Sequence, residues 1–304
     1  MNLAQLRAFL AVADEGSFTA AASVLGLTQS GVSHAVASLE RELGLALLSR
    51  ARDGIALTAH GESALPHARE ALRRVDRIGE DAAVAAGQHR GRLRLAGFPS
   101  ACQLLAPLIA EFGHRFPDVH VVLLEGTDAE VADWLRDRVA DIGVQIATDQ
   151  IDGVPLAEDR MLAVLDRDHP LAAQPVVSLA DLADDPFLLS DGGCEPLLRR
   201  MYEGAGLTLR PERRVREMAT LLALVREQLG VTVVPELALT DRRGLAAIPI
   251  RPLTYRRLVL TPAEPHDVGP AARAFLDLTA RGNDRLSRRR SGLPDGIDPV
   301  GVSR

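Results

Sequence analysis

Residues 18–44 read FTAAASVLGLTQSGVSHAVASLERELG. Two short helices that cross steeply need three things: a small residue where they touch, a residue tolerant of positive φ in the turn, and branched apolar side chains pinning the second helix. Ala22 fills the first role, Gly26 the second, and Val32, Val36 and Leu39 the third, with Ala21, Leu25 and Leu27 completing the inward face. The other face of the second helix shows Gln29, Ser30, Ser33, His34 and Ser38, short polar residues with no acid and no lysine among them. In helix-turn-helix proteins the N-terminal half of that helix enters the major groove. There Gln can bond adenine through two hydrogen bonds, and Ser can bond a base or a phosphate. A plain helical hairpin with a polar outside explains the small contact residues but not the acid-free stretch. The segment therefore predicts a helix that reads double-stranded DNA.

Before this segment, residues 3–14 (LAQLRAFLAVAD) place Leu3, Leu6, Leu10 and Ala13 at helical spacing. Gly16 and Gly44 read as helix stops, and Ser17 and Thr28 as N-caps. After it, residues 47–57 read as two short strands around the turn dipeptide Asp53-Gly54, with Arg50 and Arg52 as wing residues for phosphate or the minor groove. Thr58 opens a helix to about Gly87, in which Leu65, Ala68, Leu72, Val75, Gly79, Ala82 and Ala86 recur in alternating steps of three and four. Such a narrow seam has to be buried, and a partner subunit is the favoured surface over the rest of its own domain. Residues 88–91 read as a linker.

From residue 92 the texture becomes β-α-β-α-β: RLRLAG, a helix over 101–116, VHVVLLEG, a helix over 128–139, and DIGVQ. That order implies a parallel sheet with right-handed crossovers. Further strands are expected at 161–166, 187–190, 231–234 and 257–261, with helices near 194–205, 217–229 and 270–281. The Gly-, Pro- and Arg-rich residues 282–304 lack periodicity and read as a disordered tail.

The 304 residues are 47% hydrophobic and 25% charged, which excludes global disorder, and no apolar run approaches the roughly 20 residues of a membrane span. Asp14 and Glu15 in the first apolar stretch argue against a signal peptide, so a cytoplasmic protein is expected. Net charge is −6 and all 35 basic residues are arginine, yet residues 1–60 hold only four of them against five acids. The DNA expectation thus rests on pattern, not on bulk charge. Cys102 and Cys194 read as reduced thiols. His60, His67, His89 and His169 suggest no metal site, and no cofactor is expected. An enzyme built on the α/β half is the second reading, but the chain lacks a GxSxG elbow, a phosphate loop, a GxGxxG turn and an HExxH helix. A third is an architectural DNA-binding protein without a ligand.

Residues 1–61 resemble the winged helix-turn-helix of the LysR-type transcriptional regulators, through LAQLRAFLAVADEGSFTAAASVLGLTQSGVSHAVASLERELG and LLSRARDGIALTAHG. The resemblance continues through LRLAGFPSACQLLAPLIAEFGHRFPDVHVVLLEGT, the DHPL element at 168–171 and LLALVREQLGVTVVPELAL, to about residue 281. Leu48 stands where that family usually has Phe, Ala46 for a frequent Pro, Ala56 for a frequent Arg, Asp53 at an often basic turn position and Gln228 for a common Gly. The resemblance implies a multi-domain chain. Its parts are an N-terminal all-α winged helix-turn-helix (1–58), a long linker and dimerisation helix (59–88), and a C-terminal α/β effector domain (91–281) of periplasmic-binding-protein type. Subdomain I of that domain would span 91–159 and 266–281, and subdomain II 160–265. The implied partners are double-stranded DNA, a small-molecule effector, further copies of the chain as a dimer or dimer of dimers, and RNA polymerase.

In such a domain, ligands sit at the carboxyl ends of strands, where helix N-termini converge. Ser100 and Thr127 begin helices there and offer hydroxyls and amides to an anion, although either would also serve as a plain N-cap. Gln145 and Thr148 follow the DIGV strand, and Glu217 and Thr220 open the 217–229 helix, with Pro235 beside them. These six polar residues are the candidate effector contacts. Asp128, next to Thr127, would repel an anion and leaves room for a polar or zwitterionic effector.

Overall fold

The computed structural model describes residues 1–51, 54–86 and 89–290, with backbone alone for Ala51 and 282–290. Arg52, Asp53 and residues 291–304 of the expected tail lie outside the described residues. The chain divides into two compact units, one built mainly on Met1–Gly91 and the other on the residues from Arg92 onward.

The first unit begins with α1 (Leu3–Glu15), α2 (Phe18–Leu25) and α3 (Gln29–Leu43). Short polar side chains start each helix: Asn2 Oδ1 accepts from the Gln5 amide at 3.0 Å, Ser17 Oγ from Ala20 at 3.5 Å, and Thr28 Oγ1 from Gly31 at 3.2 Å. Gly26 sits at φ +65° between α2 and α3, a left-handed turn that a β-carbon would strain. Ala8, Val12, Ala21, Ala22, Val32 and Val36 form one buried cluster, and fully burying a side chain the size of Val contributes about 1.5–3 kcal/mol. Leu27 is not part of the inward face. It is 56% exposed, because the turn carries it past the end of α2.

A hairpin follows, β1 (Leu48–Ala51) antiparallel to β2 (Gly54–Leu57), in register Leu48↔Leu57. The Glu40 carboxylate accepts from the amides of Leu47 and Leu48, and Ile55 donates to the Gly16 carbonyl at 2.9 Å, so both ends of the hairpin are tied to the helices. Helix α4 (Ala59–Ala85) starts on Thr58, whose hydroxyl accepts from Gly61. Its seam divides. Leu65, Ala68 and Leu72 pack with Leu6, Phe9, Leu39 and Leu47 of their own unit, whereas Gly79 and Ala82 are exposed. The first half of the seam is therefore spent inside the protomer, contrary to the partner favoured for all of it, because α1 offers the nearer apolar surface.

The second unit contains β3 (Gly91–Gly97), α5 (Pro99–Arg115), β4 (Val119–Glu125), α6 (Asp128–Arg136), β5 (Ile142–Ile146), β6 (Val154–Asp166), β7 (Val177–Ser178), β8 (Leu188–Ser190), α7 (Glu195–Gly204), β9 (Arg213–Val215), α8 (Met218–Arg226), β10 (Thr232–Pro235), β11 (Leu245–Arg251), β12 (Tyr255–Pro262) and α9 (Pro270–Arg290). The large sheet runs β4-β3-β5-β12-β6-β11-β7, with β10 also paired to β6. Strands β3 and β5 are parallel, as their connection through helices requires, but β12 is antiparallel to both β5 and β6.

Strand β6 runs through two cores, with β12 paired beside it. Ala157 of β6 and Leu258 and Leu260 of β12 belong to a core built with α5 and α9. Met161, Ala163 and Leu165 of β6 belong to a core with α7, while Leu162 and Val164 pack with α8. The chain thus returns to the first core near Leu258, not at the expected boundary of 265. Helix α9 runs to Arg290, nine residues into the expected tail, since no proline interrupts 282–290.

Candidate nucleic-acid interface and ligand cleft

On α3, burial alternates with exposure at helical spacing. Val32, Val36 and Leu39 are fully buried, Gln29, Ser30 and His34 are exposed, and Ser33 is half-buried. Ser38, on the same polar face, accepts from Gln5 Nε2 at 3.0 Å and ties α3 to α1. Ser30 Oγ lies 3.2 Å from Thr28 Oγ1 at the helix start. Arg50 is exposed on β1, within the hairpin that follows α3. The outward-facing residues thus come from the N-terminal half of the helix, with their backbone held by a small apolar core beneath. Short polar side chains in that setting can meet base edges without displacing other protein groups.

The second unit holds a cleft of about 370 Å³. Its wall takes Phe98 and Ser100 from the start of α5, Gly126 and Thr127 just after β4, Gly192 and Cys194 before α7, Glu217 and Met218 at the start of α8, Pro235 at the end of β10, and Arg256 from β12. Arg256 is 2% exposed and stands directly across the strand pair from Asp159 of β6. Its Nε and Nη2 donate to Asp159 Oδ2 at 3.0 and 2.8 Å, Nη2 also donates to Ser100 Oγ at 2.9 Å, and Nη1 lies 3.8 Å from Cys194 Sγ. Asp159 Oδ1 accepts from the Leu237 amide, and the guanidinium lies 5.1 Å from the centre of the Phe98 ring. One buried ion pair therefore joins α5, the loop before α7 and strands β6 and β12. Such a pair adds little net stability, but breaking it from one side leaves a buried charge. Burial pushes the Cys194 thiol up to about 11, against the opposing pull of Arg256, so it is protonated at neutral pH. Burial likewise raises the Asp128 carboxyl to about 6, opposed by the positive charge of Arg256.

Residues 3–62 match the family model described as bacterial regulatory helix-turn-helix protein, lysR family, and residues 86–283 match the LysR substrate binding domain. The chain belongs to the LysR family of transcriptional regulators. YvbU, an HTH-type transcriptional regulator of Bacillus subtilis strain 168, is 34% identical over 284 residues, covering 91% of this chain and 97% of YvbU. Full-length CbnR complexed with its target DNA is 26% identical with a TM-score of 0.64, covering 92% of this chain and 99% of CbnR. A full-length OxyR from Pseudomonas aeruginosa, carrying one cysteine substitution, has a TM-score of 0.70 at 24% identity, covering 92% and 94% of the two chains, a likeness of fold.

The DNA-binding and substrate-binding parts of a LysR regulator thus fall on the two described units. Of the expected DNA contacts, Gln29, Ser30, Ser33 and His34 share one face of α3, Arg50 stands on the hairpin, Ser38 is bonded to Gln5, and Arg52 lies outside the described residues. Of the expected effector contacts, Ser100, Thr127 and Glu217 come together on the cleft wall; Gln145, Thr148 and Thr220 are not among its lining residues. Gln145 lies on β5 across from Val259. Thr148 accepts from the amides of Gln150 and Ile151 in the turn that follows β5, and Thr220 is exposed on α8. Thr127 forms a reciprocal cap with Glu130: its amide donates to Glu130 Oε2 at 2.6 Å and its hydroxyl accepts from the Glu130 amide at 3.2 Å.

Arg256 and Asp159 escaped the sequence reading. The signal was parity. Arg256 stands two residues before buried Leu258, and Asp159 two before buried Met161, so extending either strand outward from its buried stretch points a charge inward.

Proposed function

We propose that this regulator reads a specific duplex site through Gln29, Ser30, Ser33 and His34 of α3, and that a small molecule in the cleft beside Ser100, Thr127, Glu217 and Arg256 modulates that binding. The observation that carries the reading is the cleft's position. It opens beside Arg256 of β12, whose partner Asp159 lies on β6, the strand that runs through both cores, so a ligand there reaches the elements that would have to shift when the two lobes close. Two α3 helices from a dimer would meet successive major-groove faces about one helical turn apart, with Arg50 on a phosphate. Exposed Ile78 and Val84 on the far half of α4 are apolar surface for a second copy, and a dimer of dimers would place bent DNA near RNA polymerase. Ligand closure would act by favouring one arrangement of the dimers over another. The protein would work in the cytoplasm without catalysis, metal or cofactor; no described helix is long and apolar enough to cross a membrane.

Selection of bound fragments from the source genome supplies the operator. Its affinity is then measured with and without a small-molecule extract of the source cells, for the native chain and for Ala219→Trp, which fills the cleft. The proposal expects a response in the native chain that the variant loses. An equal response in both removes the cleft from the mechanism.

A further inference from the structure

The charges around the cleft are unevenly matched. Arg256 is paired with Asp159 at 2.8 Å, Arg226 with Asp241 at 3.2 Å and Arg216 with Glu130 at 3.6 Å, and Asp241 also holds Arg243. Glu125 and Glu217 lie on the same wall with no cationic partner among the described residues. Glu217 stands at the N-cap of α8, yet its side chain makes no capping bond. Directly behind the wall, Asp128 Oδ1 is buried without a hydrogen-bond partner. Its carboxyl tucks against Gly193, at φ +113°, where a β-carbon would collide with Asp128 Cγ. Four arginines therefore face six carboxylates, counting those pairs and Glu125, Glu217 and Asp128.

The main-chain donors at the two helix starts offer an anion little. The Thr127 amide is spent on Glu130 Oε2 and Pro99 removes an N–H from the first turn of α5, while the Thr127 and Ser100 hydroxyls accept from the Glu130 amide and from Arg256. The three arginines on the wall, Arg216, Arg226 and Arg256, are each already paired with a carboxylate, whereas Glu125 and Glu217 are not paired with a cation among the described residues. The wall also carries apolar side chains, Phe98, Met218, Leu222, Val233 and Val234. An ammonium on a carboxylate makes the stronger, charge-assisted kind of hydrogen bond, while an anion would add to unpaired negative charge.

We infer that the cleft takes a ligand carrying a protonated amine on an apolar body, the amine meeting Glu217 and Glu125, and not the simple anion that the helix starts suggested. This rests on reading the cleft as the effector site. The remaining Nη1 hydrogen of Arg256 gives an amino acid's carboxylate a second place to bind, so an apolar amino acid and its amine both belong to the class.

Two matched trios test it on the full-length protein by calorimetric titration and thermal shift: phenethylamine, L-phenylalanine and 3-phenylpropionate, then isopentylamine, L-leucine and 4-methylpentanoate. The amine or the amino acid of at least one trio should bind at least tenfold more tightly than its acid. Glu217→Gln should lower that affinity at least tenfold while leaving the melting temperature without ligand unchanged. Three results overturn the inference: an acid binding as tightly as its amine, no binding by any of the six, or Glu217→Gln and Glu125→Gln both leaving amine affinity unaltered. The underlying cleft reading fails separately, through Ala219→Trp. If that variant loses the response to cell extract while the amines do nothing, the cleft stands and the ligand class falls.

Discussion

Helix α3 and the wall of the cleft both offer polar side chains to a partner, and they are built in opposite ways. On α3 the outward residues are short and mostly free of other duties, and the apolar side chains beneath them fix the backbone. In the cleft the central side chains are buried charges whose positions depend on one another across 97 residues of sequence. The first arrangement lets a contact residue change without disturbing the fold. The second couples the contact residue to the fold, so that a ligand touching Arg256 also touches the pair that joins both cores.

This contrast orders the expected effects of substitution. Arg256→Ala strands Asp159, whose side chain is 1% exposed, and should lower unfolding free energy in urea by about 3–5 kcal/mol. The double replacement Arg256→Met, Asp159→Leu should recover most of that loss, and failure to recover would mean that the pair does more than neutralise itself. Next, Asp128 is held at about 6 against an ordinary 3.8 by burial. The folded state therefore binds its proton more tightly than the unfolded chain. The stability this group contributes is fully present below pH 3.8 and is lost as pH rises through 6. Asp128→Asn should accordingly stabilise the chain above pH 7, by at most about 3 kcal/mol, with the advantage shrinking toward pH 4. A gain that does not vary with pH would show that the carboxyl is not strained by burial.

Smaller effects belong to the first unit and to one turn. Ser38→Ala removes the bond from Gln5 and should cost about 1 kcal/mol of stability with little change in discrimination between DNA sites. The opposite outcome, unchanged stability with lost discrimination, would move Ser38 into the DNA contact. Smallest of all is Gln228→Gly. Gln228 sits at φ +59°, where a side chain costs about 1–2 kcal/mol, but its Nε2 donates to Asp166 Oδ1 at 3.1 Å, so relief and loss nearly cancel. Melting temperature should move by less than about 2 °C, and a larger shift would show that one of the two effects dominates.

Local rules made the first unit readable from the sequence. The N-caps Ser17 and Thr28, the turn glycine Gly26 and the alternation of Val32, Val36 and Leu39 each act within a few residues of their cause. The strands of the second unit were harder. Pro155 hides the start of β6 and Pro249 interrupts β11, although both pair in the sheet. Thr127 and Ser100 were visible as helix starts, but their engagement by Glu130 and Arg256 depends on tertiary geometry. The same holds for the α4 seam, whose periodicity says that a face is buried and not which surface buries it.

The central claim is that α3 reads bases. The most direct test compares Gln29→Ala, Ser33→Ala and the double variant with the native chain, on the selected operator and on random duplex of equal length at one salt concentration. The account predicts a loss of about 1–3 kcal/mol on the operator for the Gln29→Ala substitution, a larger loss for the double variant, and unchanged affinity for random DNA. Equal losses on both duplexes would contradict it.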